Sequence, residues 1–145
     1  MPGVSLPPVA DLDNEELEKL LGQGVPYLDV RTPEEYSAGH IAEAYNVPVL
    51  LRGSAGLEPN PEFVELALRH FPTGKELVVG CAAGGRSKQA RSLLLQAGYS
   101  LVHNLAGGMN GGRDPFGAKV VGWAEAGKPT TAELEPGRTY AGLKK

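Results

Sequence analysis

The single cysteine of the chain lies in the stretch CAAGGRS, residues 81–87, after an apolar run and before a sequence with helical character. A cysteine thiolate is a strong nucleophile, and inward backbone N–H groups or a nearby cation stabilise it. This stretch offers both, because its small residues let the backbone curve tightly and its arginine is permanently charged. Cys81 is therefore a candidate nucleophile. The candidate binding residues are Ala82, Ala83, Gly84, Gly85 and Arg86.

A second interpretation of Cys81 stays open at this point. Free cysteines are among the most buried residue types and usually act as small hydrophobic side chains. Five features nevertheless coincide here: a strand end, a lone thiol, a small-residue loop, an arginine and a helix start. A loop of this kind at a helix N-terminus suits an oxyanion such as sulfonate, sulfate or phosphate. The coincidence favours a catalytic thiol over a packing residue.

The elements that must position this loop alternate between helices and strands. Capping signals and apolar spacing predict helices over 11–24, 32–39, 61–71 and 87–98. Short apolar runs predict strands over 26–31, 44–49, 75–81 and 99–105, and 51–60 is predicted to be a loop. Such alternation is typical of an α/β protein with a parallel sheet covered on both faces. Ligands of these sheets bind beyond the carboxyl ends of the strands, where Cys81 is predicted to lie.

Composition limits the classes of function. The 145 residues are 41% hydrophobic and 21% charged, with a formal net charge of −3, which predicts one globular domain. Without a basic cluster or a long apolar segment, neither a nucleic-acid partner nor a membrane partner is expected, and a cytoplasmic location is the default. One cysteine excludes an internal disulfide, and the three histidines lack metal-ligand spacing, so no metal is expected.

The loop CAAGGRS resembles the active-site loop of the rhodanese (sulfurtransferase) family, cysteine-x-x-glycine-x-arginine-serine. Three further stretches match the family in the same order. They are LDVRTPEEYSAGHIAEAYNVP (28–48), NLAGGMNGG (104–112) and WAEAGKP (123–129). The resemblance implies a rhodanese domain over residues 5–129, with a central parallel sheet of about five strands and helices on both faces. Residues 130–145 fall outside it as a C-terminal tail that could be loosely packed.

The resemblance also implies a chemistry. Cys81 would attack the outer sulfur of a small anionic donor such as thiosulfate and carry that sulfur as a persulfide. A thiol or cyanide acceptor would then remove it. The loop N–H groups of residues 82–86 would surround the added sulfur, and Arg86 would help to bind the donor's anionic end. No metal or organic cofactor is implied, because the cysteine itself carries the sulfur.

Three alternatives are weighed against this function. Related phosphatases place five residues between cysteine and arginine, whereas four separate Cys81 from Arg86 here, so the loop is expected to be too tight for a phosphoryl group. A persulfide carrier that receives sulfur from a protein partner keeps Cys81 and differs only in its donor kinetics. A catalytically silent regulatory module is disfavoured by the intact loop.

Other residues of the matching stretches are predicted to be structural. Arg31 is expected to pair with a nearby carboxylate such as Glu35, and Asp29 to anchor neighbouring loops. His40 is predicted to be a turn and packing residue, and Trp123 a helix residue anchored in the core.

Two features depart from the family pattern. Glu43 stands where the family usually has glycine, and the segment 109–122 is longer than the usual link. We expect this Gly-rich segment near the pocket mouth, where Arg113 and Lys119 could add positive charge or simply belong to a longer surface loop.

Overall fold

The structure is a computed structural model that describes residues 9–83, 85–114 and 116–145. Five strands form its central sheet: β1 (Asp11–Leu12), β2 (Tyr27–Asp29), β3 (Ala44–Asn46), β6 (Leu77–Gly80) and β7 (Val102–Leu105). They lie in the order β1-β7-β6-β2-β3, and every neighbouring pair is parallel. The predicted parallel sheet of about five strands is confirmed, and its carboxyl ends all meet at one edge.

Four helices cover the two faces of this sheet: α1 (Asn14–Gly22), α2 (Pro33–Ala38), α3 (Phe63–His70) and α4 (Gly85–Gln96). The predicted capping box at α2 is present, because the Thr32 side chain accepts from the Glu35 N–H and the Glu35 side chain accepts from the Thr32 N–H. Asp13 and Glu16 form the same arrangement at α1. Local sequence therefore determines where both helices begin.

Two hydrophobic clusters hold the layers together, one on each face of the sheet. Alternate residues of the strands point to opposite faces, so Leu77 and Val79 of β6 enter one cluster and Val78 the other. The first cluster joins the sheet to α3 and α4, and the second joins it to α1 and α2. Each fully buried aliphatic or aromatic side chain contributes about 1.5–3 kcal/mol to folding. Cys81 belongs to the first cluster.

The segment 51–60 differs from the prediction of a loop. Residues 51–59 lie within an antiparallel hairpin of β4 (Leu50–Gly53) and β5 (Gly56–Pro59). Gly56 has φ +106°, a left-handed conformation that allows the tight reversal. A second small hairpin, β8 (Gly112–Arg113) with β9 (Lys119–Val120), lies inside the Gly-rich segment 109–122.

The C-terminal segment 130–145 contacts the rest of the chain at several points. Thr131 pairs with His40 in an isolated antiparallel bridge. The helix α5 (Tyr140–Leu143) buries both of its end residues in the first cluster. Arg138 donates to the Glu43 carbonyl at 2.5 Å, so the Glu43 turn is a further point of attachment for the segment. The boundary at residues 129 and 130 stays a prediction.

Candidate active site

Cys81 follows β6, the middle strand of the sheet, without an intervening residue. From β2 the chain continues to β3 on one side, and from β6 it continues to β7 on the other. The crevice between the carboxyl ends of β2 and β6 is therefore a topological switch point, where open α/β sheets bind their ligands. Asp29 lies directly opposite Gly80 at this edge. The topology thus places the thiol where a ligand site is expected.

The thiol of Cys81 is enclosed, with only 1% of the residue exposed. The backbone N–H of Ser87 donates to Cys81 Sγ at 3.4 Å, and the thiol donates to Ser87 Oγ at 3.4 Å. Ser87 lies in the first turn of α4, where N–H groups have no partner within the helix and the positive end of the helix dipole favours an anion. The sulfur therefore lies in a position that suits a thiolate.

The wider ring of N–H groups around the sulfur stays a prediction. Gly84, one of the predicted binding residues, lies outside the described residues. Ala82 and Ala83 are placed by contacts of their carbonyl oxygens with a neighbouring segment, described below. Among the described residues, Ser87 donates to the sulfur from its backbone N–H. It was not among the predicted binding residues, although the serine after Arg86 in CAAGGRS was a visible signal.

Ser87 begins a chain of polar contacts that reaches the far edge of the sheet. Its hydroxyl donates to Asn104 Oδ1 through a short hydrogen bond, and Asn104 Nδ2 donates to Asp11 Oδ1 at 3.2 Å. Arg91 of α4 donates to the same Asp11 oxygen at 3.0 Å. Ser87 and Asn104 are both fully buried, so these contacts fix the serine in one orientation beside the sulfur.

Arg86 turns toward α2 rather than standing free. Its NH1 and NH2 groups donate to the two carboxylate oxygens of Glu35 at 2.6 and 2.9 Å, a bidentate ion pair. Because α2 follows β2 and α4 follows β6, this pair spans the switch point. The hydrogen bonds that Arg86 donates to Glu35 raise the pKa of Arg86, and the electrostatic interaction with Cys81 adds to that rise.

Arg31 pairs with a nearby carboxylate, as predicted, but its partner is Asp29 rather than the suggested Glu35. Arg31 contacts Asp29 through Nε and NH2, at 2.7 Å for the shortest distance, and donates to the Gly39 carbonyl. Both side chains are buried, and the hydrogen bond to Asp29 raises the pKa of Arg31 against the opposing effect of burial. Asn46 Nδ2 donates to the Asp29 backbone oxygen. The Asp29 carboxylate thus orients Arg31, and it is Arg31 that reaches the loop at Gly39; a direct anchoring of neighbouring loops by Asp29 stays a prediction.

The segment after β7 supports the Cys81 loop from its other side. The N–H groups of Met109 and Asn110 donate to the carbonyl oxygens of Cys81 and Ala82, both at 2.8 Å. Gly108 has φ +56°, and a Cβ there would lie 2.7 Å from the Ala82 oxygen and nearer still to the Cys81 oxygen. A Cβ on Gly112 would likewise overlap the Ala83 oxygen. The glycines therefore allow two backbones to lie in contact.

A pocket of about 400 Å³ adjoins this contact. Arg31 and Glu35 line one side of it, and Met109 and Asn110 line the other. The pocket therefore separates the start of α2, where Glu35 lies, from the segment that supports the Cys81 loop.

His40 and Trp123 are packing residues. The His40 ring stacks on Tyr36 at 3.7 Å and is 1% exposed, which confirms the predicted packing role. Trp123 is buried and donates from Nε1 to the Pro129 carbonyl, but it lies in a turn rather than in the predicted helix. Of the two cations in the Gly-rich segment, Arg113 donates to the Gly117 carbonyl and Lys119 pairs with Glu125.

We expect the Glu35–Arg86 pair to make stability depend on acidity. Hydrogen bonds from Arg86 are the main cause that lowers the pKa of Glu35 from 4.5 to about 2. A carboxylate with a lowered folded-state pKa stabilises the fold above its unfolded pKa, and that contribution is lost as the pH falls through the folded value. The difference in unfolding free energy between wild type and Glu35→Gln should therefore shrink between pH 4.5 and about 2. Urea unfolding at several pH values measures it, and a difference that grows with acidity would contradict it.

Among residues 9–83, 85–114 and 116–145, no helix is long and apolar enough to cross a membrane. The same residues contain no group of three or more His, Cys, Asp or Glu side chains that could hold a metal ion.

The chain was compared with known proteins. The Rhodanese-like domain profile matches residues 13–114. Thiosulfate sulfurtransferase 16, chloroplastic, of Arabidopsis thaliana is 43% identical over 113 residues, which cover 78% of this chain and 85% of that protein. A sulfurtransferase of Allochromatium vinosum is 30% identical over 126 residues, 86% of this chain and 96% of that one. Two other plant relatives are matched over about half of their own length.

A solved structure agrees with these matches. The human single-domain sulfurtransferase TSTD1 has a TM-score of 0.54 and 32% identity, covering 68% of this chain and 89% of that chain. A crystal structure of Rv0390 from M. tuberculosis, with a TM-score of 0.69 at 22% identity, shares the fold. Three findings agree: the five-stranded parallel sheet, the profile match over residues 13–114 and the relative with 43% identity. They show that this chain belongs to the rhodanese-like domain family.

Proposed function

We propose that the protein is a sulfurtransferase that carries a sulfane sulfur as a persulfide on Cys81. The observation that supports this most directly is the position of the thiol. It lies at the switch point, with the N–H of Ser87 directed at the sulfur from the first turn of α4. The sulfurtransferase names of matched relatives support the same class of reaction.

The first half of the proposed reaction forms the persulfide. The Cys81 thiolate attacks the outer sulfur of thiosulfate, and a new S–S bond forms between protein and donor. The old S–S bond breaks, and its electron pair leaves with sulfite. The negative charge of the Cys81 persulfide then lies near the first turn of α4, where N–H donors that are already oriented stabilise it.

The second half of the proposed reaction regenerates the Cys81 thiolate. Cyanide, or a thiolate acceptor, attacks the outer sulfur of the persulfide. The S–S bond to Cys81 breaks, and its electron pair returns to the cysteine as thiolate. Thiocyanate is released when cyanide is the acceptor, and a new persulfide when the acceptor is a thiol. The protein alone carries the sulfur, so the proposal requires no metal or organic cofactor.

The loop residues have distinct proposed roles. The N–H groups of the small residues hold the outer sulfur, and Arg86 attracts the anionic end of the donor. These residues are Ala82, Ala83, Gly84, Gly85 and Arg86. A cytoplasmic location stays a prediction, since the relative with 43% identity is chloroplastic by name.

A persulfide carrier is the second candidate, and two observations favour it. The thiol is only 1% exposed, and both guanidinium ends of Arg86 are already bonded to Glu35. Such a site is less open to a free dianion than to a sulfur donor that docks beside the loop. Under this alternative, a protein persulfide would load Cys81 much faster than thiosulfate does.

Mass spectrometry of the intact protein tests both candidates. We expect thiosulfate to add one sulfur atom, and peptide mapping to place it on Cys81. Cyanide should then remove it and yield thiocyanate. Loading by a protein persulfide alone would favour the carrier, and no loading from either donor would contradict the proposed function.

A further inference from the structure

Glu35 is held by four hydrogen bonds at the edge of the proposed site. Arg86 donates two of them to its carboxylate, and Thr32 donates the others from its backbone N–H and its hydroxyl at 3.1 Å each. Its side chain is only 33% exposed. The carboxylate therefore has a fixed place beside Arg86, and it also lines the pocket next to the Cys81 loop.

This carboxylate compensates the charge on which donor binding would depend. Arg86 is the cation of the Cys81 loop, and its bidentate partner Glu35 carries the opposite charge. Two further cations in this region are compensated in the same way, Arg31 by Asp29 and Lys119 by Glu125. Arg113 is exposed and donates to a carbonyl oxygen. The charge of Arg86 itself is thus compensated by a carboxylate that lies next to the loop.

We propose that Glu35 is a specificity-determining residue: by neutralising Arg86, it weakens binding of dianionic sulfur donors relative to donors of lower charge, such as persulfides. This inference rests on the proposed function, because it assigns a substrate class to the same site. The physical reason is that a carboxylate beside the bound donor repels a dianion about twice as strongly as a monoanion. Discrimination against thiosulfate as a donor would then be determined by Glu35 of α2 rather than by the Cys81 loop.

The informative change is Glu35→Gln. Glutamine has nearly the same shape and is the other residue type used at this capping position, so α2 keeps its N-terminal contacts. The substitution removes the negative charge and leaves Arg86 able to attract an anion. Glu34→Gln is the matched control, because Glu34 is an exposed neighbour on the same helix and the change in net charge is identical.

Steady-state kinetics give the first test. We expect Glu35→Gln to lower the KM for thiosulfate about tenfold, which corresponds to ~1.4 kcal/mol of differential binding. The KM for an alkanethiosulfonate, a monoanionic sulfur donor, should fall less. Glu34→Gln should change neither KM by more than about twofold. The advantage of Glu35→Gln should decrease as ionic strength rises, because Arg86 is partly exposed to solvent.

A binding measurement separates failure of this inference from failure of the proposed function. Sulfate is an unreactive dianion that should protect Cys81 from alkylation by iodoacetamide. We expect Glu35→Gln to need about tenfold less sulfate than wild type for half protection, even if neither protein turns over thiosulfate. An unchanged or higher sulfate requirement, or a raised KM, would overturn the inference and make Glu35 a support for Arg86. Should Glu35→Gln not fold, Glu35→Ala is measured in the same assay.

Discussion

Replacement of Cys81 by serine is expected to lower the rate of sulfur transfer by at least about a thousandfold, from thiosulfate or from a protein persulfide. A serine hydroxyl is un-ionised near neutral pH and does not form the S–S bond on which both half-reactions depend. The chain has no second cysteine that could take over. Coupled thiocyanate detection and intact-mass analysis of the variant after thiosulfate measure this loss.

The same variant needs a structural control, because Cys81 is also part of a hydrophobic cluster. Serine is slightly smaller, and its hydroxyl can bond to Ser87, so we expect the variant to remain folded. Thermal unfolding should shift by only a few degrees, since a small change in a buried side chain costs about 1 kcal/mol or less. A folded Cys81→Ser protein that transfers sulfur at the wild-type rate would exclude the persulfide mechanism.

The local parts of the fold were predictable from sequence because local physics determines them. The capping box of Thr32 and Glu35 fixes the start of α2, and the run before Cys81 has the apolar residues of a buried strand. The strand-end position of the thiol follows from these signals alone. Elements with few residues were missed, such as β1 (Asp11–Leu12), because two residues carry no detectable period.

Partners that are distant in sequence could not be predicted in this way. Glu35 is four residues from Arg31 but 51 from Arg86, and both arginines are chemically suitable. The choice depends on the order of β2 and β6 in the sheet, which brings the starts of α2 and α4 together and leaves Arg31 to the nearer Asp29. The resemblance to rhodaneses identified the loop, but it did not reveal that its arginine is already paired.

The contacts of the C-terminal segment could not be predicted for a related reason. Residues 130–145 have no helical or strand period, so a sequence pattern gives them no structure. Their order comes instead from single anchors to other parts of the chain. Tyr140 and Leu143 enter the first cluster, the Leu143 carbonyl contacts His70 Nε2 at 2.7 Å, and the Arg138 carbonyl accepts from the Asn46 N–H. Such contacts depend on tertiary structure.

The Gly-rich stretch after β7 shows what could be predicted from sequence and what required the structure. Its sequence shows that glycine is abundant, and the structure shows which glycines lie against the Cys81 loop. Gly108 is the residue whose missing side chain leaves room for the carbonyl oxygens of Cys81 and Ala82. The geometry of the nucleophile therefore depends on a residue 27 positions away that has no reactive group. A single added methyl group tests this dependence.

We expect Gly108→Ala to lower sulfur transfer on the order of a hundredfold, because a displacement of about 1 Å at a reacting group has an effect of that size. The new Cβ would overlap the carbonyl oxygens of Cys81 and Ala82, so the two backbones must separate. The hydrogen bonds from Met109 and Asn110 to the loop would lengthen as a result. Alkylation of Cys81 by iodoacetamide should become faster, since the enclosed thiol would gain access to solvent.

Gly24→Ala is the matched control for this variant. Gly24 also has a left-handed backbone, with φ +84°, but no atom lies within 4 Å of its added Cβ. Both variants bear the backbone penalty of roughly 1–2 kcal/mol, and only Gly108→Ala adds the contact with the loop. Urea unfolding should therefore show a larger loss of stability for Gly108→Ala, and only that variant should lose activity. Equal activity in the two variants would mean that the Gly108 contact does not hold Cys81 in its reactive position.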